Sequence, residues 1–215
     1  MASVIEQRYR ILFGNIQNVL PKEYKKLDFI VESGHVSVID TGINGDNVDI
    51  ELKFNHDTFA QWLAIFGNYL NSSTNAYRLL LGSNDTQLYC IRNTSPNSNR
   101  IIAPNGGVIN NDIIIRYDSH GYTATVNGVS VIGTPTSAQG SANTRNIGIG
   151  YSYVITSNVS RSGKTKYYYC KMWRNGALLR NFIPCKRVSD DKVGMYDLVS
   201  KAFFTSTTQY DFSEQ

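Results

Sequence analysis

The chain has 215 residues, enough for one well-buried domain, and 14 Tyr, 9 Phe, 2 Trp and 17 Gly with few Ala/Leu/Glu/Lys windows favour strands and turns over helices. The formal charge of +4, from 21 basic and 17 acidic residues, is scattered with no block of like charge, so it speaks of solubility more than of a nucleic-acid partner. The three cysteines, Cys90, Cys170 and Cys185, are odd in number and lack CxxC or Cys/His spacing, which argues against a disulfide framework or a zinc site and for free, buried thiols.

Residues 1–19 differ from the rest. Val4, Ile5, Arg8, Ile11, Leu12, Asn15, Ile16 and Val19 recur mostly at three- and four-residue spacing, which predicts a short helix or arm of about four turns, closed by Pro21. Such an arm either packs on its own domain or docks on another subunit, with Ile5, Arg8, Leu12 and Ile16 as the docking residues. Glu6, Arg8 and Arg10 interrupt any apolar core of a signal peptide, and no run approaches a membrane span. The expectation is a chain made and kept, at least at first, in the cytosol, without a membrane partner.

From Leu27 the pattern becomes short strands with turn signals. "DFIVESGHVSVIDTGI" predicts two strands about a Ser33-Gly34 turn, and "DNVDIELKF" follows the Asn44-Gly45-Asp46 turn. Alternation there sends Val48, Ile50, Leu52 and Phe54 to a core face and Asn47, Asp49, Glu51 and Lys53 to a polar one. "FAQWLAIFGNYL" reads as a strand running into a loop, and "YRLLLGS", "QLYCIRN", "DIIIRYD", "YTATVNG", "VSVIG" and "NIGIGYS" as further strands. Asn127-Gly128 and Asn175-Gly176 mark hairpins, because a type I′ turn needs positive φ at both central residues. Residues 93–100, 133–144 and 156–165 read as flexible loops.

Two segments carry a family resemblance. "LPKEYKKLDFIVESGHVSVIDTGI" (20–43), through Leu20, Pro21, Tyr24, Ile30, Glu32, Ser33, Gly34 and Ile39 to Ile43, resembles the opening of laminin-G-like, concanavalin A-like jelly-roll domains of phage and gut-bacterial proteins. "YCKMWRNGALLRNFIPCKRVSDDKVGMYDLVSKAFFTS" (169–206) resembles their closing segment more closely still. The resemblance implies an all-β fold: an antiparallel two-sheet jelly-roll sandwich over residues 20–215, with residues 1–19 as an appended arm. It also implies that the hairpin about Asn175-Gly176 returns beside the N-terminal strands and closes the sandwich.

Chemistry is sparse. Some glucanases of this fold carry Glu-x-Asp-x-x-Glu on one strand face; Asp49 and Glu51 share a face here, but position 47 is Asn and position 53 is Lys. His35, His56 and His120 stand singly in turns with no triad or metal spacing. The expectation is therefore that the chain is not an enzyme and holds no cofactor or metal. Asn44, Asp46, Asn47, Asn84 and Asp85 offer oxygens for Ca2+, yet the same residues are ordinary turn formers, and turns are the favoured reading. Lys164, Lys166 and Lys171 with Tyr167, Tyr168 and Tyr169 are the nearest approach to a nucleic-acid stripe and read more simply as a sheet face.

Tyr69, Tyr151 and Tyr153, in Asn- and Ser-rich settings, are the candidate glycan-binding residues, the alternative being rings that pack over the core edge. Taken with the resemblance, the expected function is a non-enzymatic phage virion surface protein, capsid-decorating or fibre-like. It would meet other virion proteins or copies of itself through the arm, as a homo-oligomer. The alternatives are a bacterial cell-surface carbohydrate-binding adhesin module and a glycoside hydrolase using Asp49 and Glu51.

Overall fold

The computed structural model describes residues 20–44, 48–58, 63–68, 77–81, 84–92, 100–102, 107–118, 121–133, 145–150 and 160–214. The expected arm, with Ile5, Arg8, Leu12 and Ile16, lies outside them, as do Tyr69, Tyr151 and Tyr153. In chain order the strands are β1 (Tyr24–Lys26), β2 (Ile30–His35), β3 (Ile39–Asn44), β4 (Val48–His56), β5 (Ala64–Gly67), β6 (Tyr77–Leu81), β7 (Gln87–Arg92) and β8 (Arg100–Ile102). They continue with β9 (Ile113–Asp118), β10 (Gly121–Val126), β11 (Val129–Gly133), β12 (Asn146–Ile149), β13 (Ser160–Arg174), β14 (Ala177–Arg187), β15 (Val193–Asp197) and β16 (Ala202–Phe204). There is no helix among the described residues.

All the strand pairs are antiparallel and form two sheets. The larger runs β11-β10-β9-β4-β13-β14-β15-β16, with β1 beside β14 and β2 beside β13; the smaller runs β3-β12-β5-β6-β7-β8. Their facing residues make one core. Ile50, Leu52, Phe54, Ile113, Ile115 and Val126 from the large sheet are fully buried in the same cluster as Ile39, Leu79, Leu88, Cys90 and Ile149 from the small one. Each such side chain contributes about 1.5–3 kcal/mol by leaving water. Phe66 meets Tyr117 edge to face at 5.7 Å between ring centroids, tying the two layers together. The expected all-β sandwich is therefore present.

The Asn-Gly pairs behave as their chemistry predicts. Asn127 and Gly128 adopt φ of 49° and 78°, Asn175 and Gly176 φ of 50° and 77°, and each joins adjacent antiparallel strands.

The β13–β14 hairpin does return to the N-terminal strands, and it does so by forking. Cys170–Arg174 of β13 pairs with β14, but Ser160–Tyr167 of the same strand pairs with β2. Likewise β14 leaves β13 after Phe182 and takes β1 opposite Cys185–Arg187. Pro184, with no N–H to donate, sits at this change of partner, and its carbonyl accepts the Leu27 amide at 3.0 Å. The 11-residue β14 thus keeps a proline in its interior without an orphaned ladder position.

Two expectations are corrected. Ser33 and Gly34 are strand residues of β2, not a turn, and Val36–Val38 carry the chain from β2 to β3. β2 and β3 belong to different sheets, so their connection is a crossing held by the buried Glu32 carboxylate, which accepts the Ser37 amide at 3.1 Å and the Tyr167 hydroxyl at 3.2 Å. The predicted 156–165 loop is shorter than expected, because β13 begins at Ser160 to pair with β2.

The "YDLVSK" corner that follows β15 is organised by Asp197, wholly buried. Its carboxylate accepts the amides of Asn181 (2.7 Å), Val199 (3.1 Å) and Ser200 (3.1 Å) and the Ser200 hydroxyl (2.6 Å), with Arg180 Nε at 3.6 Å. Removing one side of such a set leaves buried donors and a guanidinium unanswered. Asp197→Ala is expected to cost about 3 kcal/mol or more, with Asp197→Asn costing less, read as a shift of the urea-unfolding midpoint.

Candidate functional site

The outer face of the large sheet gathers the polar and aromatic residues that a binding surface requires. β4 alternates as expected, Val48, Ile50, Leu52, Phe54 and His56 inward and Asp49, Glu51, Lys53 and Asn55 partly exposed. β13 does not alternate so simply. Its register to β4 shifts between Tyr167 and Tyr169, leaving Tyr168 as an extra, bulged residue. Tyr167 and Cys170 are consequently both buried, while Tyr168 and Tyr169 both stand on the outer side, followed by Lys171 and Trp173.

Around the bulge the charges are paired. Asp112 accepts Lys53 Nζ at 2.8 Å, Asn55 Nδ2 at 3.1 Å and the Tyr168 hydroxyl at 2.9 Å. Lys53 also lies over the Tyr168 ring, 4.4 Å from its centroid, and Lys166 lies 4.8 Å from that of Phe29. Burial would raise the Asp112 pKa, but the hydrogen bonds from Lys53, Tyr168 and Asn55 outweigh it and hold the carboxyl below the ordinary range. Burial, with the Asp112 carboxylate beside it, pushes the Tyr168 hydroxyl up to about 12.

A second row crosses the same face. Lys171, Glu51, Arg116, Thr123 and Ile132 are successive cross-strand partners on β13, β4, β9, β10 and β11. Lys171 Nζ lies 4.0 Å from Glu51 and 5.3 Å from the Tyr169 ring centroid, and burial plus the Glu51 charge push the Tyr169 hydroxyl upward. Trp173 is the cross-strand partner of Asp49 and is half-buried. Tyr169 and Trp173 are separated by about 13 Å along the strand.

The sequence expectation placed Asp49 and Glu51 on one face, and they are there. Both are partly exposed, with Glu51 between Lys171 and Arg116 in the cross-strand row. Asp118, next in line on β9, uses its Oδ1 to accept the Gly121 amide at 3.0 Å. Of the residues weighed for Ca2+, Asn44 offers its carbonyl and amide oxygens to Arg174 Nη2, at 3.1 and 2.8 Å, and Asn84 Oδ1 accepts the amide and hydroxyl of Thr86. Both are turn and strap chemistry; Asp46 and Asn47 lie outside the described residues. His56 is not in a turn: it ends β4, is buried, and its Nδ1 lies 2.8 Å from the Thr165 hydroxyl.

The three cysteines are free and buried, as expected, and burial pushes Cys90 and Cys185 up to about 12 and raises Cys170 as well. Sequence reasoning read Tyr167, Tyr168 and Tyr169 together as a sheet face without separating the buried ring from the outward pair, and missed Trp173 and Arg116 as surface residues. The signal was present in "YYYC", where Tyr167 and Cys170, both suited to the core, are an odd number of residues apart, which strict alternation forbids.

No protein family matches the chain, and no curated protein matches it. Among solved structures it is similar to a mutant of Trypanosoma rangeli sialidase displaying trans-sialidase activity, with 10% identity and a TM-score of 0.38 over 73% of this chain. The chain spans 27% of that protein's length. The expectation that the chain is not an enzyme is corrected to the extent that it is dropped: the matched structure is that of an enzyme, and a likeness of this size assigns no reaction to the chain.

The Asp112 cluster has a pH signature. A carboxyl whose folded pKa is depressed stabilises the fold above its unfolded pKa, about 3.9, and loses that contribution as pH falls through the folded value. Asp112→Asn is therefore expected to be less stable than wild type at neutral pH, with the difference vanishing in strong acid, as read from urea midpoints across the pH range.

Proposed function

We propose that this chain is a laminin-G-like β-sandwich presented on the surface of a phage virion, a capsid-decorating or fibre-type component that holds a glycan on the outer face of its large sheet. The virion assignment rests on the resemblance of residues 20–43 and 169–206 and on the all-β architecture that accords with it. The glycan reading is carried by one observation: the β13 bulge turns Tyr168 and Tyr169 outward together, in line with Trp173 and beside Asp49, Glu51 and Arg116.

Sugars present flat C–H faces to aromatic rings and hydroxyls to carboxylates and guanidinium groups. Tyr168 is pinned by Lys53 and Asp112, so it orders the face; Trp173 and Tyr169 are the stacking rings. Their separation of about 13 Å exceeds one sugar ring, which suits an extended saccharide of two or more units.

Wild type is expected to retain extended glycans on an array, and Trp173→Ala to lower retention about tenfold or more with an unchanged melting temperature. A parallel Tyr69, Tyr151 and Tyr153 to Ala variant reports on the tyrosines that the sequence puts forward. Absence of any wild-type signal would remove the glycan reading, and release of soluble sugar abolished by Glu51→Gln would replace binding with hydrolysis.

The arm has its own test. Deleting residues 1–19 is expected to leave an all-β domain by circular dichroism but to impair incorporation into the assembly; full incorporation counts against docking through Ile5, Arg8, Leu12 and Ile16.

A further inference from the structure

We infer that β11 is a self-association edge: two copies of this chain join their large sheets by antiparallel pairing of Val129–Gly133 with itself. The inference does not depend on the glycan reading.

β11 ends the large sheet, hydrogen-bonded to β10 alone, with β8, the end strand of the small sheet, close beside it. The two-residue Asn127-Gly128 turn fixes which backbone groups that pairing uses. Val126 and Val129 close the hairpin as a hydrogen-bonded pair, so Val129, Val131 and Gly133 direct their N–H and C=O groups at β10. Those of Ser130 and Ile132 point away from the sheet, and no partner for them is found among the described residues. The complement of such an edge is another extended strand.

The side chains favour a second copy as that strand. About a two-fold axis through Val131, Ser130 of each copy faces Ile132 of the other, giving about four main-chain hydrogen bonds. β11 contains no charged residue and no proline, so self-pairing sets no like charges opposite one another. Elsewhere an edge is blunted in the usual manner: β1 carries exposed Lys25 and Lys26. Ile132 is 79% exposed, and Val129 is 41% exposed, an uneconomical way to use apolar residues on an edge that stays in water.

The edge is also held straight and in register. Ser130 and Thr125 hydroxyls lie 2.8 Å apart across the pair. On the other side the Tyr122 ring covers Gly133 so closely that a Cβ there would lie 2.0 Å from it. The interface is small, so association is weak in free solution and grows in effect where many copies share one surface.

The test uses the full chain. Sedimentation velocity from about 10 µM to about 1 mM is expected to show a monomer–dimer equilibrium, and Ile132→Lys or Ser130→Pro to weaken it at least about tenfold. Ser130→Pro removes an outward N–H and the hydroxyl contact with Thr125 while leaving every main-chain hydrogen bond to β10 in place. Hydrogen exchange on the unmodified chain supplies a reading independent of any variant: the Ser130 and Ile132 amides are expected to slow as concentration rises, while Val129 and Val131 stay protected throughout. A monomer at every concentration, a dimer indifferent to both substitutions, or Ser130 and Ile132 amides whose exchange ignores concentration would each overturn the proposal.

Discussion

The fork between β13 and β14 is the constraint on which the molecule depends. A hairpin closed only on itself, between β4 and β15, would leave no place for the first two strands; this one separates after Cys170 and Phe182 and admits β2 along one arm and β1 along the other. The first strands of the described chain are thereby bonded to nearly its last, and the C-terminal Ser213 closes the free side of β2 by exchanging hydrogen bonds with Val31 at 2.8 and 2.9 Å. Contacts of such long sequence separation form only after the intervening chain is collapsed, so the fork belongs to the late, cooperative part of folding.

Buried polar groups hold the fork at both ends. Glu32, 1% exposed, joins β2 to the Tyr167 hydroxyl and to the crossing at Ser37, while Asp197 gathers the amides of β14 and the corner after β15. Each carboxylate is surrounded by donors, the condition under which a buried charge is tolerated. Aromatic contacts complete the seam: Tyr24 of β1 lies 4.9 Å from Tyr196 and 5.1 Å from Phe203, ring centroid to ring centroid.

The candidate surface follows from the same strand. Because β13 must face β4, β2 and β14 in turn, it carries a bulge, and the bulge sends two consecutive tyrosines to one side. The lysine and carboxylate partners around them order the face without adding a dense field of one sign. Its cross-strand row runs uninterrupted from Lys171 to Ile132 at the sheet's free edge, so the aromatic surface and the edge share one layer.

The sequence by itself determined the local matters. Period-two alternation assigned both faces of β4, Asn-Gly pairs marked two hairpins, and isolated cysteines in apolar strands read as buried thiols. It placed Asp49 and Glu51 together on the outer side, since that needs only their spacing. Tertiary structure decided what no local rule carries: that β2 runs through Ser33-Gly34, that β13 starts at Ser160, and that Tyr168 and Tyr169 share a face. Alternation and turn chemistry act over a few bonds, whereas the choice of sheet, the site of a bulge and the exit of a strand from its partner are set by pairing with residues more than a hundred positions away.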